Sequence, residues 1–253
     1  VSRTAVWKVI QQLKEEGYEV EAVKNRGYRI MTTPDVITAE EISSRLHTNW
    51  MAENCIYLES VDSTNNYAKR IAEDGTPSGT LVVADEQTGG KGRRGRSWST
   101  PKGSNIAMTL LLRPRFRPEH ASRMTLLAAM AVTCGICRVT GLDAGIKWPN
   151  GHKVCGILTE MNTEVDYINY VVIGIGINVN QKEFPEEIRE IAGSLCLEAG
   201  KQIGRAALIA ATMEELERIY EIFQKTEDLS GLYEEYNQIC VNCGRKIRVL
   251  EPG

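Results

Sequence analysis

Apolar residues recur at helical spacing near the amino terminus, at Val6, Val9 or Ile10, and Leu13, behind a Ser2 able to cap the helix, and the period ends near Gly17. The pattern then shortens to two. Residues 20–23 and 28–30 alternate around Lys24-Asn25-Arg26-Gly27, which predicts a β-hairpin with a basic tip and a glycine where the turn needs one. Residues 31–35 carry neither period and read as a linker. Thr38 and Glu41 stand at capping-box spacing and open a short helix to about Leu46.

Further along, strand patterns at 55–59, 80–86, 105–113, 144–148, 154–161 and 167–179 alternate with helical patterns. One helix starts at Ser63-Thr64-Asn65 and runs through Tyr67, Ala68, Ile71 and Ala72; others fall at 119–140, 185–191, 205–224 and 228–240. The run of Met, Leu, Ala and Val in 119–140 implies a largely buried helix. Strands close in sequence and joined by short turns pair antiparallel. The expected class is therefore α/β in the α+β sense: a mixed, largely antiparallel sheet with helices, not a doubly wound parallel one. Residues 245–250 read as one more strand. The expected division is 1–33, 34–243 and 244–253.

With 253 residues, 42% hydrophobic and 25% charged, the chain can bury a sizeable core in one large domain with an appendage. A net charge of −3 argues against a surface that coats nucleic acid throughout, so any basic cluster is a local feature. No run approaches the ~18 consecutive apolar residues of a membrane span, and the first residues lack a signal-peptide pattern. The expectation is a cytoplasmic protein with no membrane partner. The seven cysteines include Cys134/Cys137 and Cys240/Cys243 at Cys-x-x-Cys spacing, but the pairs are too far apart for a zinc ribbon, and the first lies inside an apolar helix. Buried thiols in a reducing compartment fit better.

One stretch concentrates the chemistry. Residues 87–98 read Gln-Thr-Gly-Gly-Lys-Gly-Arg-Arg-Gly-Arg-Ser-Trp and hang off a strand end. Glycines at 89, 90, 92 and 95 allow positive φ and close backbone approach, while Lys91, Arg93, Arg94 and Arg96 supply fixed positive charge. Taken alone, the stretch suits a phosphate or carboxylate and equally a solvated basic loop. The helix start at 63–65 offers backbone N–H groups and small polar side chains; simple N-capping would also explain it.

No Gly-x-x-x-x-Gly-Lys-Ser/Thr cradle and no Gly-x-Ser-x-Gly elbow occurs, and Gly174-x-Gly176 lacks the third glycine of a dinucleotide site. His47, His120 and His152 have no metal-ligand spacing; metal ligands are not identifiable from the sequence. The resources left are cations, amides and hydroxyls. They fit attack of an already ionised carboxylate on a phosphoryl group, with Lys153, Arg93, Arg94 and Arg96 neutralising the transition state. Acyl adenylate formation is such a reaction, and Mg²⁺ would accompany the triphosphate.

The amino-terminal helix and basic hairpin resemble the recognition helix and wing of a winged helix-turn-helix domain. Ser2, Arg3, Thr4, Trp7 and Lys8 would then face a DNA major groove, and Lys24 and Arg26 the phosphates. A plain helix-hairpin cap is the other reading. Because a recognition helix needs partners for its apolar stripe, the sequence is expected to begin inside that domain.

Gly90-Lys-Gly-Arg-Arg-Gly-Arg-Ser-Trp98, Ser63-Thr-Asn65, Lys147-Trp-Pro-Asn150, Lys153-Val-Cys-Gly-Ile-Leu158 and Gly174-Ile-Gly-Ile-Asn178 occur together and in an order that resembles biotin protein ligases. With the helix and wing, the chain is similar to the bifunctional bacterial form, at once ligase and biotin operon repressor. The resemblance implies a catalytic sheet of the class II aminoacyl-tRNA synthetase and biotin ligase type, followed by a small SH3-like β-barrel that begins at 244–253. It implies ATP-dependent formation of biotinyl-5′-adenylate and transfer of biotin to a lysine of a carboxylase's biotin carboxyl carrier domain. It further implies operator DNA as a partner and a ligand-promoted homodimer.

Carried over by motif, Ser63, Thr64, Asn65 and Gln87 would bind the ureido end of biotin, and Lys91, Gly92 and Arg93 would close over biotin and phosphate. Lys153, with Arg93, would be catalytic, holding the biotin carboxylate and the developing phosphoryl charge. Arg94, Arg96, Trp98, Asn150 and Asn178 would serve the ATP side. One departure stands out: the family's aspartate after Lys-Trp-Pro-Asn is missing, since Asn150 meets Gly151 directly. Lipoate or octanoyl transfer, and a non-catalytic ligand-sensing DNA-binding regulator, are the competing functions.

Overall fold

The computed structural model describes residues 2–15, 17–24, 26–32, 34–146 and 152–244, with the backbone alone at Thr32 and Arg93. The chain divides into two units, Val1–Val36 and Ile37–Gly253. In the first, helix α1 (Arg3–Glu15) precedes an antiparallel hairpin of β1 (Glu19–Val23) and β2 (Gly27–Thr32). Ser2 caps α1, its Oγ accepting from the Ala5 N–H at 3.2 Å. Of the apolar stripe, Ile10 is buried and Leu13 half-buried, whereas Val6 and Val9 are exposed.

The second unit opens with α2 (Ala39–Ser43), whose Thr38 Oγ1 accepts from the Glu41 N–H at 3.3 Å. The capping spacing is used, but the helix ends short of Leu46. A five-stranded sheet follows, formed by β3 (Cys55–Val61), β4 (Thr80–Gln87), β5 (Ile106–Leu112), β6 (Cys155–Thr163) and β7 (Ile168–Ile177) in the order β3-β4-β5-β7-β6. All pairings are antiparallel except β3 with β4. That pair is parallel because α3 (Thr64–Glu73) crosses between them.

Alternation along the strands sorts the core into two sides. Leu81, Val83, Ile106, Met108, Leu110, Val171, Ile173 and Ile175 face the large cluster shared with α4 (Met124–Thr140) and α6 (Arg205–Thr226). Val82, Leu111, Tyr170 and Val172 face the smaller cluster with Ala68 and Ala72 of α3. Pro118–Thr140 has the length and composition of a membrane-spanning helix, yet half of its apolar window is buried inside the protein. At Gly135 α4 meets α6 closely, since a Cβ there would stand 2.8 Å from Thr212 Oγ1.

Several expected elements are revised. Residues 144–146 are not a strand: Ile146 forms an isolated parallel bridge with Cys240, donating its N–H to Ile239 O at 2.8 Å. The rest of 144–148, and the strand expected at 245–250, lie outside the described residues. The expected helix at 119–140 begins as a 3-10 segment, Pro118–Arg123, before it becomes α-helical at Met124. Helices at 185–191 and 228–240 contract to the 3-10 turn Glu186–Ile188 and to a 3-10 turn followed by α7 (Tyr233–Ile239). A short helix α5 (Leu195–Ala199), stopped by Gly200 at φ 66°, was not expected. The cysteines are all free thiols.

Candidate active site

The 87–98 stretch is a hairpin-like arch. It is laced by bridges Gln87↔Thr100 and Lys91↔Ser97, by Trp98 N–H to Gly90 O at 2.9 Å and by Gly92 N–H to Arg96 O at 2.7 Å. A 3-10 turn, Arg93–Gly95, forms its tip, with Arg94 left-handed at φ 58°. The four glycines divide their roles. Only Gly95 adopts positive φ; Gly90 is needed for close approach, because its Cβ would stand 2.3 Å from Trp98 O. Lys91, Arg94 and Arg96 are exposed, and the Arg93 side chain lies outside the described residues.

The base of the arch is anchored in the core. Arg205, at the start of α6, donates to Asp85 Oδ1 at 2.6 Å and to Asn105 O at 3.1 Å. Asp85 lies two residues before Gln87 on β4, so a buried ion pair holds the strand end from which the arch departs.

The start of α3 meets this base. Ser63 occupies the N-cap without a side-chain capping bond, so simple capping does not explain the cluster. Instead Gln87 Oε1 accepts the Thr64 N–H at 2.8 Å, and Gln87 Nε2 donates to Thr100 Oγ1 at 3.3 Å. Asn65 Nδ2 donates to Glu160 Oε2 at 2.8 Å and to Leu158 O at 3.2 Å. Burial pushes the Glu160 carboxyl up, but hydrogen bonds from Lys69 and Asn65 outweigh it and hold Glu160 below the usual carboxylate range.

The sheet register explains why the glycines of β6 and β7 matter. Leu158, Gly174 and Thr109 stand side by side across three strands, as do Gly156, Gly176 and Ala107. Asn65 fills the space over Gly174, where a Cβ would lie 2.1 Å from its Oδ1. Trp98 fills the space over Gly156 and Gly176. Its Nε1 is buried without a hydrogen-bond partner, and Lys153 Nζ lies 5.5 Å from its ring centroid.

Lys153 is exposed at the mouth of β6. Its backbone pairs with the 191–193 segment, through Lys153 N–H to Ile191 O at 2.6 Å and Gly193 N–H to Lys153 O at 3.3 Å. Buried Asn178 ties the same two segments together, donating to Gly193 O at 3.0 Å and Lys153 O at 3.5 Å. A cleft of about 520 Å³ adjoins them, lined by His152, Lys182, Phe184, Arg189, Leu197 and Glu198 among others. Asn150 and the rest of 147–151 lie outside the described residues.

Thus the fold brings Ser63, Thr64, Asn65, Gln87, Trp98, Lys153 and Asn178 to one end of the sheet. The residues missed in sequence are Thr109, Glu160, Thr100 and the cleft cations Lys182 and Arg189; none sits in a recognisable motif, and only strand register assembles them. In the first unit, Ser2 at the cap of α1 and Arg3, Thr4, Trp7 and Lys8 on it are exposed, and Lys24 and Arg26 are exposed at the hairpin turn.

A mixed-sheet unit carrying a glycine-arginine arch beside Lys153, with a helix-hairpin unit before it, matches two known domain classes. Residues 57–178 match the biotin/lipoate A/B protein ligase family and residues 1–29 an HTH domain. The chain is 32% identical over 257 residues to the bifunctional ligase/repressor BirA of Escherichia coli, covering 99% of this chain and 78% of that protein. It is 47% identical over 215 residues to BirA of Bacillus subtilis, covering 82% of this chain and 66%, just under two thirds, of that protein's length. Among solved structures, the biotin protein ligase of Aquifex aeolicus in complex with biotin and ATP superposes with a TM-score of 0.64 at 28% identity, covering 75% of this chain and 79% of that one. The chain belongs to the family of bifunctional biotin ligase/repressors.

Proposed function

We propose that this protein activates biotin with ATP, forming biotinyl-5′-adenylate and pyrophosphate, and then transfers biotin to a lysine of a carboxylase's biotin carboxyl carrier domain. The observation that carries this reading is the convergence of the 87–98 arch, the start of α3 and Lys153 at one end of the sheet. The chemistry asks for charge neutralisation rather than a general base. The biotin carboxylate is already ionised, so Lys153 and Arg93 would lower the repulsion as it attacks the α-phosphoryl group and the P–O bond to pyrophosphate breaks.

Ser63, Thr64, Asn65 and Gln87 would form the ureido end of the site, and Lys91, Gly92 and Arg93 would close over it. Arg94, Arg96, Trp98, Asn150 and Asn178 would lie on the ATP side. The cleft beside Lys153 extends that side, because Lys182 and Arg189 suit phosphates and Phe184 a flat base. Mg²⁺ would travel with the triphosphate. Among the described residues the triad able to ligate a metal, Cys134, Glu215 and Glu235, belongs to the helices α4, α6 and α7 rather than to this end of the sheet, so no step is assigned to the ion.

The first unit would bind operator DNA through α1 and the hairpin, making the protein a cytoplasmic repressor as well as a ligase. Adenylate-promoted homodimerisation would place two such units on a palindromic operator. Incorporation of labelled biotin into a carrier domain, dependent on ATP, tests the enzyme. Failure of biotin to elicit pyrophosphate release would favour a non-catalytic sensor. Sedimentation with and without biotin plus ATP tests the dimer, and an unchanged monomer would count against it.

A further inference from the structure

The polar side chains beneath the arch form one continuous chain of hydrogen bonds, and its direction can be worked out. Asn65 is 5% exposed, Thr64 3% and Thr109 0%. Asn65 Nδ2 faces two groups that can only accept, the Glu160 carboxylate and Leu158 O. Glu160 is held in turn by Lys69 Nζ at 2.7 Å. The Asn65 carboxamide therefore cannot turn over without setting its oxygen against a carboxylate.

Its Oδ1 must then point at Thr109 Oγ1, 2.7 Å away. Thr109 has one hydroxyl proton, and it lies between two acceptors, Asn65 Oδ1 and Thr64 Oγ1, the latter 2.8 Å away. The Thr64 hydroxyl donates in turn to Gln87 Oε1 at 3.1 Å, an amide oxygen that already accepts the Thr64 N–H and has no proton to return. With its proton on Gln87, Thr64 Oγ1 keeps only lone pairs for a ligand.

We propose that Asn65 is a positioning residue rather than a ligand contact: anchored by Glu160 and Lys69 and seated on Gly174, it orients Thr109 so that Thr64 meets the substrate as a hydrogen-bond acceptor for a ring N–H. Both Nδ2 protons of Asn65 and one lone pair of its Oδ1 are engaged by protein, which leaves no donor for substrate. Gln87 Nε2, with one proton on Thr100, keeps a second for a carbonyl. An acceptor on Thr64 and a donor on Gln87, the two residues being linked through Gln87 Oε1, would complement the H–N–C=O edge of a cyclic urea. This inference rests on the biotin reading above and specifies how its ureido end is recognised.

The test uses the full chain and the kinetics of biotin-dependent pyrophosphate release. Thr109→Val and Glu160→Gln are each expected to raise KM for biotin about tenfold, the loss of roughly one hydrogen bond, while kcat stays within about twofold. Thr109→Ser, which keeps the hydroxyl, should restore KM. Glu160 is only half-buried, so Glu160→Gln keeps the test alive if the buried Thr109→Val variant does not fold. Of the two mono-N-methyl biotins, the one bound more weakly by wild type should lose nothing further in Thr109→Val, because the N–H that Thr64 would accept is already gone. Unchanged KM in both variants, a fall in kcat instead, or no rescue by serine overturns the proposal. A wild type without biotin-dependent turnover overturns the ligase reading itself, whereas an active wild type with indifferent variants overturns only the network.

Discussion

The indole of Trp98 occupies the space into which a side chain on Gly176 would grow: a Cβ there would stand 2.3 Å from Trp98 Nε1 and 2.4 Å from Cε2. Gly156, paired with Gly176 across β6 and β7, repeats the relationship at 2.8 Å from the ring. A rigid aromatic ring cannot yield by tenths of an ångström as a flexible side chain can, so the arch position and these two glycines are one structural unit. Gly176→Ala is expected to push Trp98 and the arch outward. The overpacking costs about 1–3 kcal/mol, and biotin-dependent pyrophosphate exchange should fall by roughly tenfold or more, with a shift in tryptophan emission. Unaltered exchange and emission would show that Trp98 does not rest there.

Lys153 carries the charge on which the proposed chemistry depends. Lys153→Ala is expected to slow adenylate synthesis by about two orders of magnitude or more, as removal of a transition-state charge contact does. Single-turnover formation of the adenylate is the measurement that isolates the chemical step. A near-normal rate would remove Lys153 from its catalytic role.

Glu217, on α6, is 5% exposed and captures a turn more than a hundred and sixty residues away. Its carboxylate accepts from the backbone N–H groups of Asn49, Trp50 and Met51 at 2.8, 3.0 and 2.9 Å and from Asn49 Nδ2 at 3.0 Å. Burial pushes its pKa up, but these donors prevail and hold it below the usual carboxylate range. A depressed folded-state value means that its stabilising contribution is complete above the unfolded value, about 4.3, and is lost as pH falls through the folded one. Glu217→Gln should cost about 1–3 kcal/mol at pH 7 in urea unfolding. The gap between variant and wild type should narrow below about pH 4. A gap independent of pH would contradict this account.

Asp85 and Arg205 form a buried pair at 2.6 Å beneath the arch. Replacing Asp85 takes away the buried carboxylate that Arg205 meets in the core, so Asp85→Leu should destabilise the fold by about 3–5 kcal/mol. The double variant Asp85→Leu with Arg205→Met should recover most of that loss. If the single and double variants melt alike, the pair is not what holds the strand end.

The sequence by itself determined the local elements and the chemical resources. Helical spacing at 205–224 and alternation at 167–179 appear in the structure as α6 (Arg205–Thr226) and β7 (Ile168–Ile177) because both are set by neighbours within a few residues. The basic glycine-rich composition of 87–98 marked the arch for the same reason: charge and backbone freedom are properties of the residues themselves. Segments without strong periodicity fared worse, and 144–146 became a single bridge because its partner, Cys240, lies almost a hundred residues on. Only the tertiary structure decided the rest. The parallel pairing of β3 with β4, the seating of Asn65 on Gly174, the placing of Thr109 between Thr64 and Asn65, and the capture of residues 49–51 by Glu217 all depend on strand order and register. Periodicity says which way a side chain faces within its own element. Which partner it meets there is settled by packing between elements far apart in the chain, and it is that packing which turns a glycine from an apparent weakness in a strand into the floor of a site.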